Sequence, residues 1–169
     1  MQLLLIRHAV AEEREEFRAG GLGDDLRPLS AEGQRKMERG AAGLAGLLPG
    51  LDLLATSPLV RARQTAEIVA AAFGGVAIVE TPTLAPGAHP DRFLAWLADG
   101  RVDGVVAGVG HQPHFGRLAG RLLRFDDCLV VEFKKGSAAL FEVEPKAGAG
   151  GAAMLLWSLA PAQLHRLEE

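Results

Sequence analysis

Three short aliphatic runs, each ending in a polar segment that opens a helix-like pattern, restrict this chain to an alternating α/β fold. Leu3-Leu4-Leu5-Ile6 stops at Arg7-His8-Ala9, Leu51 to Ala55 leads into Ser57-Pro58, and Val105 to Val109 stops at Gly110-His111-Gln112-Pro113. Runs this short and this apolar belong to strands buried on both faces of a parallel sheet. In such a sheet the three polar segments emerge at the same edge, the carboxyl ends of the strands, where open α/β folds bind their ligands.

The rest of the chain fits around those runs. Strands are predicted over Gln2 to Ile6, Leu51 to Thr56, Val76 to Glu80 and Asp103 to Val109. Glu12 to Arg18 can form a short turn of helix before a glycine-broken loop that ends at Pro28-Leu29. Ser30 can cap a helix from Ala31 to about Leu48, with Met37, Ala41, Leu44 and Leu48 as its core stripe. Further helices are expected from Pro58 to about Phe73, from Pro90 to Asp99, and from Pro113 to Leu123. The tail changes character, and Leu129 to Phe133, Ala138 to Glu144 and Ala153 to Leu159 read as strands joined by hairpin-like turns. The expected fold is an α/β three-layer sandwich, a mixed, mostly parallel central sheet flanked by helices, as a single domain over residues 1–169.

Composition narrows the partners. The formal net charge is −3, which gives no reason to expect nucleic acid. Apolar residues make up 49% and tyrosine is absent, so the core must be mostly Leu, Val and Ala. No stretch approaches a membrane span, and the N-terminal run is too short for a signal peptide, so a cytoplasmic location is expected. Cys128 is the only cysteine, which rules out an intrachain disulfide; it is expected to be a buried, inert thiol.

The polar segments hold chemistry suited to phosphoryl groups. A histidine ring nitrogen is neutral and nucleophilic near pH 7, and His8 is the candidate nucleophile. Its other nitrogen must donate to an acceptor to fix the tautomer, and a backbone carbonyl in the loop after Ala9 is a candidate. Arg7 beside it offers a permanent charge and a planar fork of donors. Arg61 stands one helical turn after Ser57, so it returns towards the strand end, whereas Arg63 lies about 200° further round and should point away. Ser57 can bind phosphate or cap the helix, and Gln64 and Thr65 are expected to support the loop. His114 and His165 are expected to be structural, and a site role for His89 is the weaker of its two readings.

In this order, the Arg7-His8 opening, the segment Ser57-Pro58-Leu59-Val60-Arg61-Ala62-Arg63-Gln64-Thr65 and Gly110-His111-Gln112-Pro113 resemble the histidine phosphatase (phosphoglycerate mutase-like) superfamily. Within it the chain is most similar to the SixA-type phosphohistidine phosphatases, from Met1 to about Leu164. The resemblance implies a phospho-His8 intermediate, with Arg7 and Arg61 on the phosphoryl oxygens and His111 contacting them in the transition state. Arg27-Pro28-Leu29-Ser30 is similar to the SixA-type pattern, which implies Arg27 as a third clamp. It also puts Ala85 where many relatives carry the glutamate that protonates the leaving group, leaving Glu80 and His89 as possible substitutes.

A missing acid suits a substrate whose leaving group departs as neutral imidazole, with a conjugate acid of pKa near ~6.5. The short segment between Glu80 and Asp103 leaves no room for a large lid, which suits a side chain presented by another protein. The expected activity is therefore removal of a phosphoryl group from a protein histidine. The expected partner is a phosphohistidine-bearing protein, with no nucleic acid, no membrane, no metal and no organic cofactor. The rivals are a small-molecule phosphomonoesterase of the same superfamily, a phosphate-binding module without turnover, and a metal-dependent hydrolase using His8, His111 and His114. The last is disfavoured because no carboxylate lies within those motifs.

Overall fold

The computed structural model describes residues 1–100, 103–124, 128–144 and 153–167. Its six strands form one sheet: β1 (Gln2–Arg7), β2 (Leu53–Thr56), β3 (Ile78–Glu80), β4 (Val105–Gly110), β5 (Ala138–Val143) and β6 (Ala153–Leu159), in the order β3-β2-β4-β1-β5-β6. β3, β2, β4 and β1 are parallel, while β5 runs antiparallel to both β1 and β6. The mixed, mostly parallel sheet is thus as expected, with β5 as the reversed strand.

Alternation along β1 divides the core. Leu4 and Ile6 face one layer with Met37, Ala41 and Leu44 of α2 (Ala31–Leu47) and Ala62, Ala66 and Val69 of α3 (Val60–Ala72). Leu3 and Leu5 face the other, with Phe93 and Leu97 of α4 (Pro90–Gly100) and Phe115, Leu118 and Leu122 of α5 (His114–Arg124). All four β1 residues are fully buried, and each such side chain contributes about 1.5–3 kcal/mol by leaving water. That burial anchors the strand whose end carries Arg7 and His8. The remaining helices are α1 (Arg14–Ala19) and the short α6 (Pro161–Leu164), with single 3-10 turns at Asp24–Leu26, Pro82–Leu84 and His165–Leu167.

Local signals explain the element ends nearest the site. Ser30 caps α2, its hydroxyl accepting from the Gly33 amide at 3.0 Å. Residues 12–28 form a loop closed at its base, where Ala11 bridges Leu29 and the Glu12 amide donates to the Pro28 carbonyl at 3.0 Å. Gly110 ends β4 with no room for a side chain, since a Cβ there would meet the Phe115 ring at 2.7 Å.

Two expectations fail. Leu129 to Phe133 is not a strand: both edges of β1 are already taken by β4 and β5, and the Phe133 carbonyl accepts from Arg7 Nη1 at 2.6 Å instead of joining a ladder. Leu129 and Val130 lie at the surface, and Phe133 alone of this run is fully buried. Cys128 is exposed rather than buried, because it precedes this irregular surface segment instead of standing on a core element. The expected turn over residues 145–151 lies outside the described residues.

Candidate functional site

Register brings the three polar segments together. Arg7 pairs with Gly110 across β1 and β4, and Thr56 pairs with Val109 across β2 and β4. The loops that follow therefore leave the sheet side by side. Between them lies a pocket of about 280 Å³ lined by Arg7, His8, Arg27, Arg61 and His111. A larger hollow of about 480 Å³ between α2 and α3, bordered by Gln34, Glu38 and Glu67, holds neither arginine nor histidine. Chemistry rather than size picks out the strand-end pocket.

His8 is held as a nucleophile must be. Its Nδ1 lies 2.7 Å from the Ala9 carbonyl, which can only accept, so Nδ1 carries the proton and Nε2 keeps its lone pair. The acceptor is Ala9 itself rather than a residue beyond it. The His8 amide donates to the Gly110 carbonyl at 2.9 Å, and the Ala9 amide donates to Thr65 Oγ1 at 3.1 Å. Burial pushes the ring down to about 3, against the opposing Ala9 hydrogen bond and with help from the charges of Arg61 and Arg7. The imidazole is therefore neutral at physiological pH.

His111 faces it, with ring centroids 5.0 Å apart. Its Nε2 lies 2.8 Å from Ser57 Oγ. Ser57 thus holds the second histidine, and its hydroxyl also accepts from the Leu59 amide at 3.4 Å. Burial, then the proximity of His8 and Arg61, pushes His111 down to about 2. Both rings are neutral, so the positive charge of the pocket comes from its arginines, together with Lys135.

Each arginine is anchored on part of its donor fork. Arg7 gives Nη1 to the Phe133 carbonyl at 2.6 Å. Arg27, only 6% exposed, gives Nε to Asp24 Oδ1 at 2.9 Å and Nη1 to the Glu12 carbonyl at 2.7 Å. Arg61, 3% exposed, gives Nη1 to the Asp24 carbonyl at 2.7 Å and Nη2 to Asp24 Oδ2 at 3.2 Å. Arg7 Nε and Arg61 Nε are buried with no partner. Buried donors of this kind are rarely left unpaired, and an oxyanion is the ligand that would pair them.

Other expected residues fall outside the pocket lining. Arg63 points away, towards Glu80, 3.6 Å across a half-exposed ion pair. Glu80 is thereby committed to β3's edge, and His89 turns its Nδ1 to the Asp91 amide at 3.3 Å. Neither lines the pocket, whereas Pro86, next to Ala85, does. Gln64 supports the loop as expected, accepting from the Leu29 amide at 2.7 Å. His114 is buried with both ring nitrogens unpartnered, and His165 packs near Gly40 of α2.

Sequence reasoning missed Asp24, Glu12, Glu13 and Lys135, all of which line the pocket. Lys135 sits on a turn built around His8. The Gly136 amide reaches the carbonyls of Arg7 and His8 at 3.1 and 3.2 Å, with φ of +78°. That φ favours glycine, so Lys134-Lys135-Gly136-Ser137 was readable as a turn but not as part of a site.

The pocket lies at the carboxyl ends of a mostly parallel sheet, with two facing histidines and with Arg7, Arg27 and Arg61 anchored beside them, an arrangement suited to histidine-type phosphatase chemistry. The chain belongs to the histidine phosphatase superfamily: the family model for branch 1 matches residues 3–86, which takes in Arg7, His8, Arg27 and Arg61. Among solved structures it is similar to the protein histidine phosphatase SixA complexed with tungstate, at 23% identity and TM-score 0.82 over 97% of this chain and 99% of that one. It is also similar to a phosphohistidine phosphatase SixA structure from Agrobacterium tumefaciens, at 26% identity and TM-score 0.77 over 95% and 97%. A phosphoserine phosphatase from Entamoeba histolytica shares the fold at 15% identity and TM-score 0.71 over 96% and 98%. An uncharacterized protein from Picosynechococcus is 38% identical over 150 residues, 83% of this chain and 88% of that protein.

Proposed function

We propose that the protein is a phosphohistidine phosphatase that dephosphorylates a histidine presented by another protein. His8 Nε2 attacks phosphorus as the bond to the substrate's ring nitrogen breaks, and the substrate histidine leaves as neutral imidazole when its other nitrogen carries a proton. Arg7, Arg27 and Arg61 hold the equatorial oxygens through the transfer. When the Ser57 hydroxyl donates to His111 Nε2, His111 carries its proton on Nδ1 as a neutral donor to the phosphoryl group. Water then attacks phospho-His8, the phosphorus–nitrogen bond breaks, and inorganic phosphate departs.

One observation carries the choice of substrate: among the described residues the carboxylates lining the pocket are Glu12, Glu13 and Asp24, and none of them is buried. The acid's place by resemblance is Ala85, and Asp24 is held ionised. Burial would raise the Asp24 carboxyl, but the Arg27 hydrogen bond and the charges of Arg61, Arg27 and Arg14 outweigh it and keep it below the usual carboxylate range. Imidazole needs no such acid, whereas a serine alkoxide does. Leu22 and Leu26 support a protein substrate, being 51% and 49% exposed on the loop that supplies Asp24 and Arg27. The SixA structures among the similar folds point the same way.

The test is a comparison of kcat/KM on phosphohistidine and on phosphoserine. Clamp energy is nearly common to the two, so the ratio reports the leaving group, and it should reach ~10²–10⁴ in favour of phosphohistidine. Equal rates would instead favour a small-molecule phosphomonoesterase, with Glu12 or Glu13, the other carboxylates lining the pocket, as its acid.

A further inference from the structure

We propose that Asp24 is a positioning residue that aims Arg27 and Arg61 at the phosphoryl group. This rests on the phosphatase reading above. A long, freely rotating arginine makes a poor clamp, because its orientation must be fixed before it can bind charge where charge develops. Arg61 rises from α3 and Arg27 from the 12–28 loop, so nothing in the sheet sets one against the other.

Asp24 does so with two groups. Its carbonyl and Oδ2 take both terminal nitrogens of Arg61, and Oδ1 takes Nε of Arg27. Arg14 Nε adds a contact to Oδ1 at 3.3 Å from a more exposed position. The contact pattern leaves donors over: Arg61 Nε is buried without a partner, and no protein acceptor takes Arg27 Nη2 among these bonds. Asp24 therefore consumes one part of each fork and leaves the rest for an oxyanion. Its backbone is fixed as well, since Asp24 opens a 3-10 turn whose Arg27 amide donates back to the Asp24 carbonyl at 3.3 Å. The same contacts tie the rim loop to α3.

A bare counter-charge would act in the opposite direction. Removing a carboxylate that merely competes with substrate raises the positive potential and tightens phosphate binding. Removing one that aims the arginines loosens it. Titration calorimetry with inorganic phosphate on Asp24→Asn and Asp24→Ala separates these without reference to the substrate's identity. The expected result is at least tenfold weaker phosphate binding in Asp24→Asn. For turnover of phosphoramidate, kcat should fall about tenfold or more while KM changes less, with partial recovery in Asp24→Glu. The effect should vanish when the residue it acts through is gone, so Asp24→Asn should cost little in an Arg27→Ala, Arg61→Lys background. Should Asp24→Ala fail to fold, Asp24→Asn alone decides. Unchanged or tighter phosphate binding in the Asn variant, or a full loss that persists in the arginine-substituted background, would overturn the proposal. A wild-type protein that binds phosphate but turns over neither phosphohistidine nor phosphoramidate would remove the phosphatase reading, and the phosphate titrations would still judge Asp24.

Discussion

The floor of the pocket and its rim are built by different means. His8, Ser57, Arg61 and His111 are all buried and stand at or just past the ends of β1, β2 and β4. Their positions follow from the strand register and from hydrogen bonds such as the His8 amide to the Gly110 carbonyl. The rim comes from the 12–28 loop and the 133–137 turn, where Glu12, Glu13, Arg14 and Lys135 are exposed. Ion pairs centred on Asp24 hold the loop, and hydrogen bonds to the Arg7 and His8 carbonyls hold the turn. A floor fixed by the core has its geometry set by the sheet, whichever substrate enters. A rim built outside the sheet is free to set which substrate enters.

The largest expected effect tests the floor. His8→Ala should lower turnover by ~10⁴ or more, as loss of a nucleophile does. Far-UV circular dichroism should be unchanged, because the ring packs at a strand end rather than within the leucine core. Rapid quench of wild type should trap an acid-labile, base-stable adduct on His8. An active His8→Ala enzyme contradicts covalent catalysis.

The next effect tests the border between floor and leaving group. Ala85→Glu places a carboxyl beside pocket-lining Pro86. It should raise the phosphoserine rate by part of the ~10²–10⁴ that a general acid provides, and leave phosphohistidine turnover much as before. A variant that gains nothing on phosphoserine means that the missing acid does not set the preference.

The contrast also explains what was legible in the sequence. Arg7, His8 and His111 stand at or within a residue of a strand end, and Arg61 lies one helical turn past Ser57, so apolar runs and helix pitch were enough to place them together. Arg27 came from its resemblance to Arg-Pro-Leu-Ser segments, since nothing in its own spacing puts it in the pocket. Asp24 was hidden because its contact with Arg61 spans 37 residues and depends on how an irregular loop folds back. Lys135 was hidden behind the expected strand at Leu129 to Phe133, and apolar residues alone did not reveal that Arg7 claims the Phe133 carbonyl. Ser57 left two roles open, and only the 2.8 Å contact with His111 adds a third, orientation of the facing histidine.

That contact gives a milder test of the floor. Ser57→Ala removes one hydrogen bond to a buried ring, worth ~0.5–1.5 kcal/mol net. A loss of about tenfold in kcat with little change in KM is expected, because His111 is proposed to act on the transition state. A rise in KM alone would show that Ser57 binds the ground-state phosphate instead.

The buried histidines of the floor and of α5 behind it should also make the fold sensitive to acid. His8 and His114 are pushed down to about 3 and about 4, chiefly by burial, while unfolded histidine titrates near ~6.5. Between those values the unfolded chain binds protons that the folded one refuses, so stability is fully present above about pH 6.5 and is lost as pH falls towards 4. The melting temperature should drop over that range. His114→Leu should flatten the drop, because His114 has no hydrogen bond to lose. An identical slope in the variant would mean that His114 does not contribute.

The smallest expected effect belongs to the rim and reports on the partner. Leu22 and Leu26 are large apolar side chains left about half exposed on the loop that carries Asp24 and Arg27. Covering such a side chain with a protein surface is favourable in proportion to the apolar area removed from water, about 25 cal/mol per Å². A small phosphoramidate has no surface to offer them, whereas a protein does. Leu22→Ser with Leu26→Ser should therefore raise KM for a phosphohistidine-bearing protein about three- to tenfold. The same variant should leave phosphoramidate kinetics unchanged, because neither leucine touches the clamp's hydrogen bonds. Equal losses on both substrates would mean that the leucines act by holding the loop, and the rim would then be part of the chemistry rather than of recognition. No loss on either would leave the exposed leucines without a role in binding and would favour a small-molecule substrate.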